Sequence, residues 1–150
     1  MTGLRDKVVL VTGASGGIGE AIAGEFARGG AIVVVSSRNE EKLQVLVGRL
    51  EREVAERWHC ALETAKLGGD SQRNLPRLCG HGVDSENARR MADKTGKSIE
   101  EVLKLFAESS PQKRLIAPAE VAWLALTLAS ENAGDITGQA INVDGGAVMA

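Results

Sequence analysis

The chain has 150 residues, of which 43% are hydrophobic and 25% are charged, as expected for a globular domain that buries a core. Its net charge of -2 and the lack of a basic run argue against nucleic-acid and anionic-membrane partners. Two cysteines, Cys60 and Cys79, are too few for a disulfide framework, so a cytoplasmic protein is expected. The apolar runs are too short for a signal peptide core or a membrane span.

The first part of the chain has the pattern of a strand, a glycine-rich turn, a helix and a second strand. Residues 8–11 are apolar and rich in β-branched side chains, which predicts a strand buried on both faces. Residues 18–28 follow helical spacing, and Gly29-Gly30 supplies a left-handed stop. Residues 31–35 form a second buried strand. This order predicts a βαβ unit with a parallel pair of strands.

A long apolar stripe follows the second strand. Asn39 is a suitable N-cap, with two glutamates in the first turn behind it. From Leu43 to Ala65 apolar residues recur at steps of three or four without a proline. The stripe therefore predicts one long helix over residues 39–66.

The remaining elements are shorter. Residues 67–82 contain four glycines and a proline and are predicted to be irregular. A helical tract resumes near Glu86, and Ser98-Ile-Glu-Glu101 is a capping box that opens another helix. Pro118 fits the first position of a further helix, and residues 140–143 form a last short strand.

The glycine-rich turn, residues 12–19, reads Thr-Gly-Ala-Ser-Gly-Gly-Ile-Gly. Gly13 permits a tight turn, Gly17 lets the backbone approach a pyrophosphate, and Gly19 lets the helix lie close to the strand. The helix N-terminus offers free N–H groups and a partial positive charge to a phosphate. A flexible strand–helix connection is the simpler interpretation, but the placement between strand and helix favours a dinucleotide loop. Its predicted cofactor-binding residues are Gly13, Ser15, Gly17, Ile18 and Gly19.

The end of the second strand predicts which dinucleotide binds. An acidic residue there would bind the ribose 2′-hydroxyl of NAD. The chain instead has Ser36, Ser37 and Arg38, with no carboxylate until Glu40. A guanidinium suits the 2′-phosphate of NADP, although a solvated loop arginine is the alternative. We therefore predict NADP rather than NAD, with Ser37 and Arg38 as further binding residues.

Motifs at both ends of the chain resemble those of short-chain dehydrogenases/reductases. The glycine-rich turn resembles the family's TGxxxGxG signature, and Ser37-Arg-Asn-Glu-Glu-Lys-Leu43 resembles the segment after its second strand. Pro118-Ala-Glu-Val-Ala122, Leu128-Ala-Ser130 and residues 136–146 resemble the C-terminal helix, last strand and terminal turn. Residues 91–115 are similar to the helical substrate lid of hydroxyacyl- or hydroxybutyrate-type members.

This resemblance implies an α/β fold, a Rossmann-like parallel sheet with helices on both faces. Residues 1–150 would form a single shortened domain. Residues 1–50 would supply its nucleotide-binding βαβ unit, and residues 84–150 its lid helices and last strand. The family's oxidoreductase activity is hydride transfer between NAD(P)(H) and a carbonyl or alcohol, and its C-terminal region commonly forms contacts in homo-oligomers.

The centre of the family's pattern is missing from this chain. There is no Asn-Asn-Ala-Gly, no strand with the catalytic serine, and no Tyr-x-x-x-Lys, because the chain has no tyrosine. Residues 61–66 are similar to the helix that follows the catalytic lysine. Residues 79–84 are at best a degenerate form of the turn that touches the nicotinamide. The sheet is therefore expected to be incomplete, without its central strands and catalytic segment, and no catalytic residue is assigned.

The missing strands would leave the first strand with an open edge. Each buried, unpaired backbone group costs about 1–3 kcal/mol, against a domain stability of about 5–15 kcal/mol. Three outcomes are open: the remaining strands close up beside the first strand, another subunit covers the gap, or the chain is barely stable.

Three functions remain open, and none of them includes a metal. His59-Cys60 and Cys79-x-His81 lack the usual spacing of zinc ligands, so no metal site is predicted. The chain is an enzyme that moves hydride to or from NADP(H), a non-catalytic nucleotide-binding or subunit-pairing module, or a deletion product without function. The absence of tyrosine argues against the enzyme, whereas the intact loop and Arg38 favour the module over the deletion product.

Overall fold

Parallel strands and α-helices alternate in the computed structural model, which describes residues 4–54, 62–64, 77–80 and 85–147. The predicted α/β class is confirmed. The described elements are, in chain order, β1 (Val8–Thr12), α1 (Gly17–Arg28), β2 (Ile32–Ser37), α2 (Glu40–Glu53), β3 (Leu62–Thr64), β4 (Arg77–Gly80), α3 (Ser85–Thr95), α4 (Ile99–Ser109), α5 (Pro118–Leu128), a 3-10 turn (Glu131–Ala133) and β5 (Ala140–Val143).

The described strands form two separate parallel sheets. A three-stranded sheet has the order β1-β2-β3, and its β1–β2 register pairs Val8 with Ile32 and Thr12 with Ser36. A two-stranded sheet pairs β4 with β5. In this part of the chain β1 therefore has one strand neighbour, β2. None of the other described strands pairs with β1, so the first of the three expected outcomes is not found among them.

The main core lies between the three-stranded sheet and three helices. Alternate side chains of a strand point to opposite faces, so Val9, Val11, Val33 and Val35 share one face of the sheet. That face packs against α1, α2 and α5. The buried members of the core are Leu4, Val11, Ala14, Ala23, Phe26, Ala27, Ala31, Val33, Val35, Leu43, Leu46, Leu50 and Leu126.

The opposite face of β1 corrects a prediction from the sequence. The continuous apolar run predicted a strand buried on both faces, but Val8 is 68% exposed and Leu10 is 53% exposed. A continuous apolar run indicates that both faces can be covered, not that both are. Whether a second layer covers that face depends on elements elsewhere in the chain, so local sequence cannot decide it.

The single helix predicted over residues 39–66 is also wrong. Helix α2 ends at Glu53, where Val54 leaves the helical conformation with φ -128° and ψ 52°. Leu62–Thr64 is a strand that pairs in parallel with β2, Leu62 opposite Val35 and Thr64 opposite Ser37. The physical reason is that β2 presents unpaired N–H and C=O groups along its second edge, and β3 satisfies them. Tertiary pairing overrides the helical pattern.

The prediction that residues 67–82 are irregular fails for Arg77–Gly80. These residues form β4, whose partner β5 is distant in sequence, with Arg77 opposite Ala140 and Gly80 opposite Val143. No local periodicity marks so short a strand, because the pairing that stabilises it comes from a remote segment.

The later helices are confirmed where the sequence placed them. Ser98 caps α4 by accepting a hydrogen bond from the Glu101 N–H, and the Glu101 carboxylate accepts one from the Ser98 N–H, which completes the capping box. Helices α3 and α4 pack on each other around Ala88, Ala92 and Val102. Among the described helices, none combines the length and apolar character that crossing a membrane requires.

An ion pair anchors the start of α5. Arg114 donates hydrogen bonds to both carboxylate oxygens of Glu120, each at 2.7 Å, and the Ala117 N–H donates to the same carboxylate at 2.8 Å. These donors, chiefly Arg114, lower the pKa of Glu120 from 4.5 to about 2. The carboxylate also lies in the first turn of a helix, where a negative charge is favourable.

This pKa predicts a loss of stability in acid. Because the pKa of folded Glu120 lies below its unfolded value, its contribution is complete above pH 4.5 and is lost as the pH falls through about 2. Replacement Glu120→Gln should therefore lower the unfolding temperature at neutral pH and flatten its dependence on pH between those values. Thermal unfolding of both proteins across this range is the measurement. If the unfolding temperatures of the two proteins change with pH in the same way, the pKa of Glu120 is the same in the folded and unfolded chains.

Candidate nucleotide-binding site

The glycine-rich turn joins the carboxyl end of β1 to the start of α1. Gly13 has φ +71°, a left-handed conformation that L side chains rarely adopt and that glycine permits. The Gly16 N–H donates to the Gly13 carbonyl at 3.2 Å, which closes the turn. The Ala14 N–H donates to the Ser36 carbonyl at 3.1 Å. The turn is therefore fastened to the end of β2 as well as to β1.

Gly19 lies directly against the turn. A Cβ atom at Gly19 would be 2.4 Å from the Gly13 carbonyl oxygen and 3.0 Å from the Ala14 Cα. These are backbone atoms, so no rotamer change relieves the collision. Glycine at this position is what lets the first turn of α1 pack against the loop, whereas the sequence predicted a close approach of the helix to the strand.

The N-terminus of α1 has the properties of an anion site. Gly16 is its N-cap, and no side chain within the described residues caps this end. Gly17 and Ile18 are the first two residues of the helix, where backbone N–H groups have no partner within the helix. These groups and the helix dipole favour a phosphate at this end.

Two hydroxyl groups connect the turn to the second strand. Ser15 and Ser37 form a hydrogen bond through their Oγ atoms, and either one can be the donor. The Ser37 Oγ also accepts a hydrogen bond from the Asn39 N–H at 3.2 Å. Asn39 in turn caps α2, because its Oδ1 accepts from the Lys42 N–H at 2.9 Å. A chain of hydrogen bonds thus runs from the glycine-rich turn to the start of α2.

Arg38 lies next to this hydroxyl pair and is exposed. Within the described residues no hydrogen bond or ion pair engages its guanidinium. Other arginines of this region are paired: Arg28 contacts Glu25 at 2.6 Å, and Arg49 contacts Glu20 at 2.6 Å. Arg38 is therefore able to receive an external anion.

The predicted residues come together at the carboxyl ends of β1 and β2, the edge where open α/β sheets bind ligands. They are Gly13, Ser15, Gly17, Ile18, Gly19, Ser37 and Arg38. The motif did not indicate two backbone groups that form hydrogen bonds at this edge, the Ser36 carbonyl and the Asn39 N–H. Both act through backbone groups, and no side-chain pattern identifies such contacts.

Among the described residues, the groups that would supply reaction chemistry are not assembled at this site. The chain has no tyrosine. Lys94 is exposed on α3, which packs against α4, and Lys66 lies outside the described residues. The side chains considered as zinc ligands, His59, Cys60, Cys79 and His81, also lie outside the described side chains. The described arrangement can hold an anionic dinucleotide by its phosphates.

Two family models match the two ends of the chain. The model described as short chain dehydrogenase matches residues 7–67. The model described as Enoyl-(Acyl carrier protein) reductase matches residues 86–148. Together they span most of the chain in the expected order, and the first contains the glycine-rich turn, β1 and β2.

Curated relatives match over the N-terminal part. An A-factor type gamma-butyrolactone 1'-reductase (1S-forming) of Streptomyces virginiae is 54% identical over 52 residues, 35% of this chain and 20% of that protein. An uncharacterized oxidoreductase of Escherichia coli (strain K12) is 48% identical over 50 residues, 33% of this chain and 20% of that protein. The match thus spans about a fifth of the length of these relatives.

Solved structures share the fold at low sequence identity. An NADPH dependent reductase involved in bacilysin biosynthesis has a TM-score of 0.79 at 16% identity, with 97% of this chain and 100% of that chain covered. The L-sorbose reductase from Gluconobacter frateurii complexed with NADPH and L-sorbose has a TM-score of 0.76 at 17% identity, with 96% and 97% covered. With both family models matched and this fold, the chain belongs to the short-chain dehydrogenase/reductase family.

Proposed function

We propose that this chain binds NADP(H) and does not perform the hydride transfer of its family. The observation that carries the proposal is the junction of the glycine-rich turn with the end of β2. There the hydrogen-bonded hydroxyls of Ser15 and Ser37 lie beside the exposed Arg38. A dinucleotide whose pyrophosphate lies at the N-terminus of α1 would present its adenosine ribose to this junction.

The residues at the junction favour a phosphate over a free 2′-hydroxyl. In the sequence, Ser37 and Arg38 stand at the end of β2, where a carboxylate would accept a hydrogen bond from a ribose hydroxyl. A guanidinium and a hydroxyl are both hydrogen-bond donors, and the 2′-phosphate accepts from both. The NADPH in the L-sorbose reductase structure, which has the same fold, supports this choice.

Replacing Arg38 tests the proposal. We expect Arg38→Ala to raise the Kd for NADPH on the order of tenfold, because a charge-assisted contact to the 2′-phosphate is lost. The Kd for NADH should change by less than about twofold, because NADH has no 2′-phosphate. Calorimetric titration of the wild type and of Arg38→Ala with each cofactor gives the four dissociation constants. Arg52→Ala, an exposed arginine in the last turn of α2, is the matched control and should leave both unchanged.

Other results would favour the alternatives. Equal losses for both cofactors would make Arg38 a solvated loop residue without a role in selection. If the wild-type chain binds neither cofactor, the anion site at the N-terminus of α1 does not bind a dinucleotide. That result would favour a deletion product without function.

We also propose a cellular location and an oligomeric state for this chain. We place the chain in the cytoplasm, on the basis of its two cysteines. We propose a homo-oligomer because the family's C-terminal region commonly forms subunit contacts, and Trp123 on α5, which lies in that region, is 57% exposed. The molar mass of the protein in the binding samples, measured by light scattering, tests this part.

A further inference from the structure

A carboxylate lies close to the anion site at the N-terminus of α1. Glu20 belongs to the first turn of this helix, and its side chain is partly exposed. An acidic residue there stabilises the helix itself, because its charge complements the helix dipole. The same charge repels a pyrophosphate bound at the N–H groups of Gly17 and Ile18. Dinucleotide binding at this end of α1 therefore depends on how the charge of Glu20 is compensated.

Arg49 on α2 provides the compensating charge. Its Nη2 atom lies 2.6 Å from the Glu20 Oε1 atom, so the ion pair joins α2 to the first turn of α1. Both side chains line a cavity of about 300 Å³ between the two helices, and Gly17 lines the same cavity. The Arg49 Nε atom also lies 3.8 Å from the Glu53 Oε1 atom, one turn later on α2. The Glu20 carboxylate is thus held toward α2, against a cation and beside the first residue of α1.

We infer that Arg49 is a positioning residue for dinucleotide binding: it holds and neutralises the Glu20 carboxylate, so that the N-terminus of α1 can accept a pyrophosphate. Arg49 acts through Glu20 and not by contact with the cofactor. The inference rests on the proposed function, because it requires a dinucleotide at this helix. It concerns the pyrophosphate, which NADPH and NADH share, and so it is independent of the choice between them.

The first test removes the positive charge and keeps the size of the side chain. Arg49→Gln leaves the charge of Glu20 uncompensated. At an ionic strength of about 0.01 M we expect the Kd values for NADPH and NADH to rise by the same factor, about threefold to fivefold. At about 1 M salt the Debye length is only about 3 Å, and the increase should fall below about twofold. Calorimetric titration at both salt concentrations is the measurement.

The decisive variant combines Arg49→Gln with Glu20→Gln. Once residue 20 carries no charge, Arg49 has nothing to neutralise, so the combination should bind both cofactors within about twofold of Glu20→Gln alone. Glu20→Gln alone should bind them at least as tightly as the wild type. If the combination is as weak as Arg49→Gln, Arg49 contacts the cofactor or supports the fold, and the inference is overturned. Arg49→Lys keeps the charge and should stay within about twofold of the wild type.

Arg28 offers a matched control on the same pair of helices. Its Nη1 atom lies 3.3 Å from the Glu53 Oε2 atom, so it also links α1 to α2. It is the last residue of α1, eight residues after Glu20 and thus about 12 Å away along the helix axis. Arg28→Gln should therefore leave both Kd values unchanged. If it weakens binding as much as Arg49→Gln does, looser packing of the helices explains the loss, and the inference is overturned.

The outcomes also separate this inference from the proposed function. If Arg49→Gln leaves both Kd values unchanged at low salt, or weakens NADPH alone, the inference is overturned while selective weakening by Arg38→Ala keeps the proposed function. If the wild type binds both cofactors equally, the preference for NADP(H) is overturned, and an equal loss in Arg49→Gln with rescue by Glu20→Gln still supports the inference. A wild-type chain that binds neither cofactor overturns both.

Discussion

The purified chain should not reduce carbonyl compounds at the rate of an ordinary enzyme, even with NADPH bound. Hydride transfer to a carbonyl requires an acid that gives a proton to the carbonyl oxygen. In the family's pattern a tyrosine supplies this proton, a neighbouring lysine lowers the pKa of that tyrosine, and a serine polarises the same oxygen. This chain has no tyrosine at any position.

The magnitude of the expected loss is large. General acid catalysis contributes about 10²–10⁴-fold, and a donor to the developing oxyanion adds about 10²–10³-fold. None of the described residues has a recognisable position relative to the glycine-rich turn that would let it act as the acid in place of tyrosine. Ser36 and Ser37 lie at the end of β2, where the adenosine would bind, and Lys94 is exposed on α3. The chain can therefore bind the cofactor and still fail to catalyse hydride transfer.

NADPH consumption with acetoacetyl and simple ketone substrates measures this, using protein free of host reductases. Gly17→Trp is the control, since a bulky side chain at the start of α1 should block the pyrophosphate. Turnover on the order of 1 s⁻¹ or faster, a normal enzyme rate, that disappears in Gly17→Trp would falsify the prediction. It would also show that another acid in the chain serves the reaction.

The second large effect is expected from Gly19→Ala. The added Cβ would lie 2.4 Å from the Gly13 carbonyl oxygen and 2.9 Å from the Gly13 carbonyl carbon. Because both are backbone atoms, α1 must move away from the turn, and overpacking of this kind costs about 1–3 kcal/mol of stability. The phosphate-facing N–H groups move with the helix, so NADPH affinity should fall on the order of tenfold or more.

Gly16 provides a matched control three residues earlier in the same turn. A Cβ there would have the Gly13 oxygen at 3.7 Å, an ordinary contact, and Gly16 has φ -108°, which any residue adopts. Since serine is a preferred N-cap, Gly16→Ser should keep the unfolding temperature of the wild type. Thermal unfolding and NADPH titration of both variants give the comparison. If Gly19→Ala unfolds at the same temperature as Gly16→Ser, α1 does not pack on the turn as closely as described.

Local sequence predicted the elements whose signals lie within a few residues. The strand–turn–helix–strand unit, the Ser98 capping box and Pro118 at the start of α5 were all correct, because caps, turns and helical spacing act over short distances. The loop residues of the candidate site were predicted for the same reason. A left-handed Gly13 and a close-packed Gly19 are local requirements of the backbone.

The two errors of secondary structure arose where a distant partner decided the conformation. Residues after Glu53 continued a helical pattern in phase, yet Leu62–Thr64 pairs with the open edge of β2. Arg77–Gly80 lacked any periodic signal and is a strand because β5 lies beside it. In each case unpaired backbone groups on a remote strand outweighed the preference of the local residues.

The sequence by itself determined the family, the glycine-rich turn, the candidate binding residues and the absence of a catalytic tyrosine. Tertiary structure alone decided that β1 keeps Val8 and Leu10 exposed, because exposure depends on which elements cover a face of the sheet. It alone also joined Ser15 to Ser37, two residues that are 22 positions apart in the chain. Hydroxyl groups so far apart in sequence meet only when the parallel pairing of β1 and β2 aligns their carboxyl ends.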